Sequence, residues 1–221
     1  TTLNKAAILF ASRNPTAAEY KTVQDGGAPA LRTTIRGFMA GKPFEAFLDE
    51  SGDTVFLPQG AVVFDGGGVG LNSLDYPAEA NLIDGTGGVD TTVRNRFINS
   101  VRREGVELLK HIVRNDKPWT DMVAGNYTVM NGLIAKYMAA SVDGAFVNPD
   151  DDTEWRTAKW KSERLGGARE HAGVLSSHAW LQRFPPTETN RNRHRALMLG
   201  RQFLGFDINA LAARPIDDGS T

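Results

Sequence analysis

Apolar residues return every three or four positions over residues 91–114, and this period constrains the fold more than any other feature. The apolar positions are Val93, Phe97, Val101, Leu108, Ile112 and Val113. The residues expected on the solvent side of such a helix are Arg94, Arg102, Arg103, Glu104 and Glu107. A helix with one apolar stripe must bury that stripe against other elements. The pattern therefore predicts a long amphipathic helix within a mainly α-helical fold.

Shorter segments on both sides also carry helical signals. Thr16 and Glu19 have the spacing of a capping box, and Asn131 precedes an apolar run as an N-cap would. The sequence DGG at residues 25–27 is expected to end the helix that Thr16 begins. The other predicted helices cover 3–12, 30–39, the region of 44–48, the turn after Pro118, 172–181 and 190–204. These signals predict an irregular multi-helix bundle with at most a short β element.

Residues 57–90 interrupt the helical pattern with sequences rich in Gly and Asp, such as FDGGGVGLN and IDGTGGVD. A long irregular loop is expected there, with at most a short strand over 61–64. The glycine spacing does not match a dinucleotide or phosphate-binding loop. Residues 1–221 are predicted to form a single mainly helical domain with a flexible or truncated tail at 214–221.

Composition limits the classes of function. The 221 residues include 25 Lys and Arg against 26 Asp and Glu, for a formal net charge of -1. Nucleic-acid-binding domains usually carry a basic excess, so nucleic acid is not expected as a partner. The chain has no cysteine, which excludes disulfides and thioether-linked haem within these residues. No apolar run approaches the roughly 18 residues that a transmembrane helix needs.

Positive charge is concentrated in the segment NRNRHRALMLGRQFLG, at residues 190–205. If a helix begins near Asn190, it presents a cluster that consists of Arg191, Arg193, His194 and Arg195. Arginine forks bind carboxylates and phosphates in bidentate pairs, so this cluster is a candidate site for a partner or an anion. The alternative is a solvated helix face whose charges are paired with the chain's own Asp and Glu.

Two other groups of residues could carry chemistry. Asp150, Asp151 and Asp152 form an acidic loop, and clustered carboxylates are ligands that calcium prefers. The loop lacks the residue order of an EF-hand, and a solvated acidic turn is the alternative. His171 beside Glu170, or His178 beside Ser176 and Ser177, could carry acid–base or nucleophilic chemistry, but no hydrolase motif supports either. The alternative is that each is a surface or hydrogen-bonded structural histidine.

The motif PWTDMVAGNYTVMN, followed by a distant GVL segment and PPTETNRNRHRA, resembles a known pattern. It is similar to the bacterial domain families of unknown function that accompany planctomycete-type cytochrome c domains. The resemblance covers most of the chain except residues 57–90 and 148–155. It implies an exported, mostly helical protein, in which a C-x-x-C-H haem-attachment motif commonly follows the basic helix. This sequence has no such motif, so covalent haem would belong to another segment or to a partner.

The resemblance implies a structural or partner-binding subunit of a c-type cytochrome or electron-transfer system, located in the periplasm or outside the cell. A chain that begins at Thr1 is also consistent with removal of a signal peptide. The basic cluster would then dock a haem propionate or an acidic partner surface. Two alternatives stay open. One is an extracytoplasmic enzyme, such as a hydrolase, with its site at 57–90 and around His171 and His178. The other is a self-assembling, oligomeric surface protein.

Overall fold

The structure is a computed structural model. It describes residues 1–56, 82, 90–138, 140–162, 167–168, 170–184 and 193–211. Helices dominate these residues and a small antiparallel sheet accompanies them, which confirms the predicted mainly α class with a short β element. Contacts divide the chain into two compact units, Thr1–Phe56 and Leu57–Thr221. Compactness is not a test of independent folding, so the single domain over 1–221 stays a prediction.

Three predictions fall on residues outside the described part of the chain. These are the irregular loop at 57–90, the strand at 61–64 and the tail at 214–221. Two residues of the first range are nevertheless described. Leu82 is helical and fully buried in the main core, and Asp90 caps the helix that follows.

The first unit consists of α1 (Thr2–Ala11), α2 (Ala17–Phe38) and α3 (Lys42–Phe56). The capping box at the start of α2 is confirmed. Thr16 Oγ1 accepts the Glu19 N–H at 3.2 Å, and Glu19 Oε2 accepts the Thr16 N–H at 2.7 Å. The buried core of this unit consists of Leu3, Ala6, Ala7 and Phe38.

The helix end expected at residues 25–27 is instead a kink inside α2. Gly27 has a φ of 60° and a ψ of -143°, which a residue with a Cβ rarely adopts. Pro29 follows in the first turn after the kink, where a missing N–H costs little. The helix therefore resumes and continues to Phe38, so the segment predicted as a separate helix over 30–39 belongs to α2.

The second unit is built around α4 (Thr91–Arg114), whose bounds agree with the prediction. Asp90 Oδ1 caps its start by accepting the Thr92 N–H at 2.8 Å. The expected solvent side of α4 was wrong in part, because Glu104 and Glu107 are buried there together with Lys110. No helix among the described residues, α4 included, is long and apolar enough to cross a membrane.

The sheet packs on α4 and contains β1 (Thr128–Met130), β2 (Ala140–Val142), β3 (Arg156–Ser162) and β4 (Gly167–Ala168). All pairings are antiparallel, in the order β1-β3-β2, and β4 also pairs with β3. The main core lies where this sheet meets α4. Its fully buried large side chains are Leu82, Phe97, Val101, Met130, Ile134 and Met138.

Two short helices lie beside the strands: α5 (Asp121–Ala124) and α6 (Gly132–Tyr137). The predicted cap at Asn131 is confirmed, since its Oδ1 accepts the Ile134 N–H at 3.0 Å. A Cβ on Gly132 would lie 1.9 Å from the carbonyl oxygen of Pro149. Only glycine therefore lets the loop after Pro149 approach the start of α6 so closely.

The remaining helices are α7 (His178–Arg183), α8 (Arg193–Leu199), a π-helical turn at Gly200–Leu204, and α9 (Ile208–Leu211). The helix predicted over 172–181 starts later than expected. Ser177 is the N-cap of α7, and its Oγ accepts the Trp180 N–H at 3.2 Å. The helix predicted over 190–204 is α-helical only to Leu199 and then widens into the π turn.

Candidate functional site

The predicted basic cluster lies at the start of α8. Arg193 and His194 are exposed there, while Arg195 is partly buried. The imidazole of His194 meets the ring of Phe184 edge-on, with 5.1 Å between the centroids. Arg191 lies outside the described residues. Among the described members of the cluster, Arg193 and His194 face solvent, and their binding role stays a prediction.

Arg195 binds the backbone instead of presenting its guanidinium to solvent. Its Nε donates to the carbonyl of Phe184 at 2.7 Å, and its Nη2 donates to the carbonyl of Leu181 at 2.8 Å. Burial lowers the pKa of this guanidinium. Because the last carbonyls of a helix have no intrahelical partners, Arg195 satisfies groups at the end of α7 and holds α8 against it.

The acidic loop is held by hydrogen bonds and ion pairs. Asp152 Oδ2 accepts Arg96 Nε at 2.9 Å, and the carbonyl of Asp150 accepts Arg96 Nη2 at 2.5 Å. Asp151 Oδ1 accepts the Thr153 N–H at 2.8 Å and the Thr153 hydroxyl at 2.7 Å. These bonds from Thr153 lower the pKa of Asp151.

Among the described residues, no three carboxylate or imidazole groups converge as a metal ion would require. The carboxylates of Asp151 and Asp152 instead face the partners given above. A calcium site at Asp150, Asp151 and Asp152 therefore stays a prediction, and such a site would require Asp152 to exchange Arg96 for the ion.

The charged side of α4 forms a pocket that sequence analysis did not identify. Its volume is 410 Å³, and the acidic loop and Trp155 form its opposite wall. The charged side chains that line it are Arg96, Arg103, Lys110, Arg114, Glu107 and Asp152. Four cations against two carboxylates leave an excess of two positive charges, so we name this feature the basic pocket.

Glu107 holds two of these cations in place. Its Oε1 accepts Arg103 Nη2 at 2.7 Å and Lys110 Nζ at 3.3 Å. The side chains of Glu107 and Lys110 are only 8% and 7% exposed, whereas that of Arg103 is 37% exposed. The pair therefore forms a buried floor, and Arg103 extends from it toward solvent.

Asn131 places the wall of the basic pocket. Its amide Nδ2 donates to Ser100 Oγ on α4 at 2.7 Å and to the carbonyl of Asp152 at 3.0 Å. Asn131 is fully buried, and its Oδ1 caps α6 as well. One side chain thus joins α4, α6 and the acidic loop, which keeps Asp152 within reach of Arg96.

The basic pocket had a signal in the sequence. Arg96, Arg103 and Lys110 are spaced at intervals of seven, and Arg114 follows four residues later. Residues at these intervals lie on one side of a helix because seven residues complete nearly two turns. The loop that forms the opposite wall follows Lys110 by some 40 residues, and no local pattern predicts that approach.

His171 and Ser176 are in contact, but their hydrogen bonds do not form a nucleophilic pair. His171 Nε2 accepts the backbone N–H of Trp160 at 3.0 Å, so the neutral ring carries its proton on Nδ1. Nδ1 lies 3.1 Å from Ser176 Oγ and must donate to it. Ser176 Oγ also accepts the Ala172 N–H and donates to the carbonyl of Gly173, each at 3.0 Å. The imidazole has no lone pair left to activate the hydroxyl.

His178 and Glu104 are completely buried beside this pair. The ring of His178 meets that of Trp160 edge-on, at 5.8 Å between centroids, and contacts Gln182. Burial lowers the pKa of His178 to about 3 and that of His171 to about 4. Both imidazoles are therefore neutral near pH 7.

Glu104 reaches from α4 to the start of α7. Its Oε2 accepts the Ala179 N–H at 3.2 Å, while Oε1 is buried with no hydrogen-bond partner among the described residues. Burial raises the pKa of this carboxyl to about 8, although the α7 backbone donors act in the opposite direction. The carboxyl is therefore largely protonated at pH 7.

Comparison with known proteins gives no relative from which a function could be transferred. No family model, no curated protein and no solved structure matches this chain.

Proposed function

We propose that this chain is a partner-binding subunit that holds an anionic group of another protein in the basic pocket. The observation that carries the proposal is the set of four cationic side chains that line one 410 Å³ pocket against two carboxylates. Asp152 binds Arg96, and Glu107 binds Arg103 and Lys110. Cations that are already positioned lose less freedom when an anionic partner arrives.

The hydrogen bonds of His171 argue against a hydrolase that uses His171 and Ser176 as base and nucleophile. An activated serine needs a base with a free lone pair, and both ring nitrogens of His171 are engaged in other bonds. Ser176 donates its proton to a backbone carbonyl. These contacts support a structural role for the pair, in which it joins β3 to the segment that precedes α7.

The proposed partner is a c-type cytochrome or another haem-bearing protein outside the cytoplasm, as the resemblance implies. Haem propionates and acidic surface patches both present carboxylates, the group that arginine forks bind best. Arg103 and Arg114 are the cations proposed to meet them, because Arg103 extends toward solvent and Arg114 is exposed, whereas Lys110 lies at the buried floor.

Native purification tests this proposal. Intact mass spectrometry and the haem absorbance spectrum would be recorded on the same material. We expect a haem-bearing polypeptide to travel with the 24.0 kDa chain and to be released as salt is raised. A chain that purifies alone and without haem absorbance would overturn the cytochrome partner.

Charge-removing variants assign the surface. Arg103→Gln and Arg114→Gln should release the haem protein at lower salt than the unmodified chain does. Arg193→Gln on α8 is the matched control, because it removes the same charge from an exposed position outside the basic pocket. Earlier release by Arg193→Gln alone would move the docking surface to the basic helix predicted from the sequence.

A further inference from the structure

The cations of the basic pocket are spread along α4 rather than gathered around one point. A helix rises 1.5 Å per residue, so about 10 Å separates Arg96 from Arg103 and Arg103 from Lys110, and about 6 Å separates Lys110 from Arg114. One phosphate or carboxylate can meet only one or two of these groups. The whole row is used only by a ligand that carries several anionic groups at similar intervals.

An extended polypeptide in the polyproline II conformation has the matching period. It completes a turn every three residues and rises about 3.1 Å per residue, so every third side chain returns to the same side after about 9 Å. Two such turns cover about 19 Å, close to the roughly 16.5 Å of helix rise between Arg103 and Arg114, so carboxylates at every third position can meet both arginines. In a β-strand, residues three positions apart face opposite sides, so the same sequence of carboxylates would fit the row of cations less well.

Trp155 supplies the second feature that such a segment requires. Its ring packs against the main core and also lines the basic pocket opposite α4. Grooves with aromatic walls bind proline-rich segments because the preformed helix loses little entropy when it docks. The basic pocket thus combines a row of cations at a suitable interval with an apolar wall.

We propose that the basic pocket binds an acidic, proline-containing segment of a protein partner in the polyproline II conformation, with carboxylates at every third residue. The proposal rests on the partner-binding function and names the chemistry of the segment that occupies the site. The segment lies along α4, with its carboxylates toward Arg103 and Arg114 and its prolines against Trp155.

Two synthetic peptides of one composition test the proposal by isothermal titration calorimetry on the full chain. The first has four repeats of Glu-Pro-Pro, and the second has the four glutamates in one block followed by the eight prolines. We expect the spaced peptide to bind about fivefold more tightly than the block peptide, because it alone places its carboxylates along the row. Equal affinity of the two peptides, or no binding of the spaced one, would overturn the proposal.

Variants that fold normally show which arginines bind the spaced peptide. Arg114 is exposed near the end of α4, so Arg114→Gln is expected to fold as the unmodified chain does, which its thermal unfolding would verify. Arg114→Gln should lower the affinity for the spaced peptide about three- to fivefold, and the double variant with Arg103→Gln should lower it about tenfold or more. Arg193→Gln should leave its affinity unchanged. An equal loss with Arg193→Gln would mean binding by diffuse charge and would overturn the site.

Competitors distinguish the ligand classes. Inorganic phosphate should displace the spaced peptide no more than sodium chloride does at the same ionic strength. Stronger displacement by phosphate would make this a small-anion site, and stronger displacement by duplex DNA would make it a polyanion surface; either would overturn the proposal. If a copurifying haem protein is released by Arg103→Gln but not by the spaced peptide, the partner-binding function stands and the inference about the segment fails.

Discussion

The two arginine-rich helices of this protein, α4 and α8, use their positive charge in different ways. In α8, Arg195 donates to two backbone carbonyls and is no longer available to a partner. In α4, Arg96 and Arg103 are held by carboxylates and still line a pocket. A cluster of arginines in a sequence therefore does not identify a binding surface until the acceptors of each guanidinium are known.

Helix α7 lies between these two regions and contacts both. Its first turn donates to Glu104 from α4, and its last carbonyls accept from Arg195 on α8. The guanidinium at the end of α7 complements the helix dipole, and the Glu104 carboxyl accepts a backbone N–H at its start. This arrangement explains why the densest basic segment of the sequence has a structural role in part, while the dispersed cations of α4 form the site.

The largest expected effect concerns the buried floor of the basic pocket. Glu107→Gln removes the charge that holds Arg103 and Lys110, and breaking a buried pair typically costs about 3 kcal/mol or more. We expect a loss of about that size in the free energy of unfolding, measured by urea denaturation with the slope of the transition compared between variants.

The matched control lies beside α8. Asp207 binds Arg201 at 2.7 Å, but both side chains are well exposed, at 38% and 48%. Asp207→Asn should therefore cost no more than about 0.5 kcal/mol. Similar losses in Glu107→Gln and Asp207→Asn would contradict the distinction between a buried, organising ion pair and a superficial one.

The next effect concerns the contact of α8 with α7. Arg195→Met keeps the apolar stem but removes both donors, and hydrogen bonds to charged groups contribute about 1.5 to 3 kcal/mol each, before solvent replaces part of the loss. We expect a net destabilisation of about 2 kcal/mol in urea denaturation. Unchanged stability would show that water satisfies the α7 carbonyls equally well, and Arg195 would then be available to a partner.

The contact of α4 with α7 makes stability dependent on pH. Glu104 has a folded pKa of about 8 against an unfolded value near 4.5, so its contribution is present below 4.5 and is lost as pH rises toward 8. His171 and His178 have folded pKa values below 6.5, so their contributions are present above 6.5 and are lost as pH falls. Between pH 6.5 and 8 Glu104 gives the largest change among these groups, at most about 1.4 kcal/mol per pH unit, and the histidines partly offset it as their unfolded forms lose the last of their protons.

Glu104→Gln isolates this effect, because the amide resembles the protonated carboxyl. Relative to the variant, the unmodified chain should lose about 1 to 2 kcal/mol more unfolding free energy between pH 6.5 and 8. Both should still lose stability below pH 6.5 through His171, His178 and His111, because burial lowers the pKa of each imidazole. An unmodified chain with a flat profile above pH 6.5 would mean that Glu104 is already ionised in the fold.

The same comparison explains what the sequence could predict. The bounds of α4 followed from an apolar period, and the caps at Thr16 and Asn131 followed from local spacing. These features depend on residues within a turn or two of each other. The strands β1 and β2 have three residues each, too short for an alternating pattern, and they pair with β3 only through contacts distant in sequence.

The candidate site required contacts that no local pattern contains. The burial of Glu104 depends on α7, which lies 75 residues away in the sequence. Similarly, one wall of the basic pocket depends on Asn131, which holds the carbonyl of Asp152. Asp152 then reaches Arg96, which lies 56 residues earlier in the sequence. A charged residue within an amphipathic helix is predicted to face solvent, because charged side chains are usually exposed. Of the charged residues that α4 buries, Glu107 and Lys110 form the floor of the basic pocket, and Glu104 contacts α7.

The smallest expected effect tests the remaining exposed part of the predicted basic helix. Arg193→Met should change the free energy of unfolding by less than about 0.5 kcal/mol, because the side chain is exposed at the start of α8. It should also leave both the haem-protein retention and the spaced-peptide affinity as they are in the unmodified chain. If it instead weakens retention while Arg114→Gln does not, the charge that matters lies on α8, and the α4 pocket is an electrostatic feature of the fold without a role in docking.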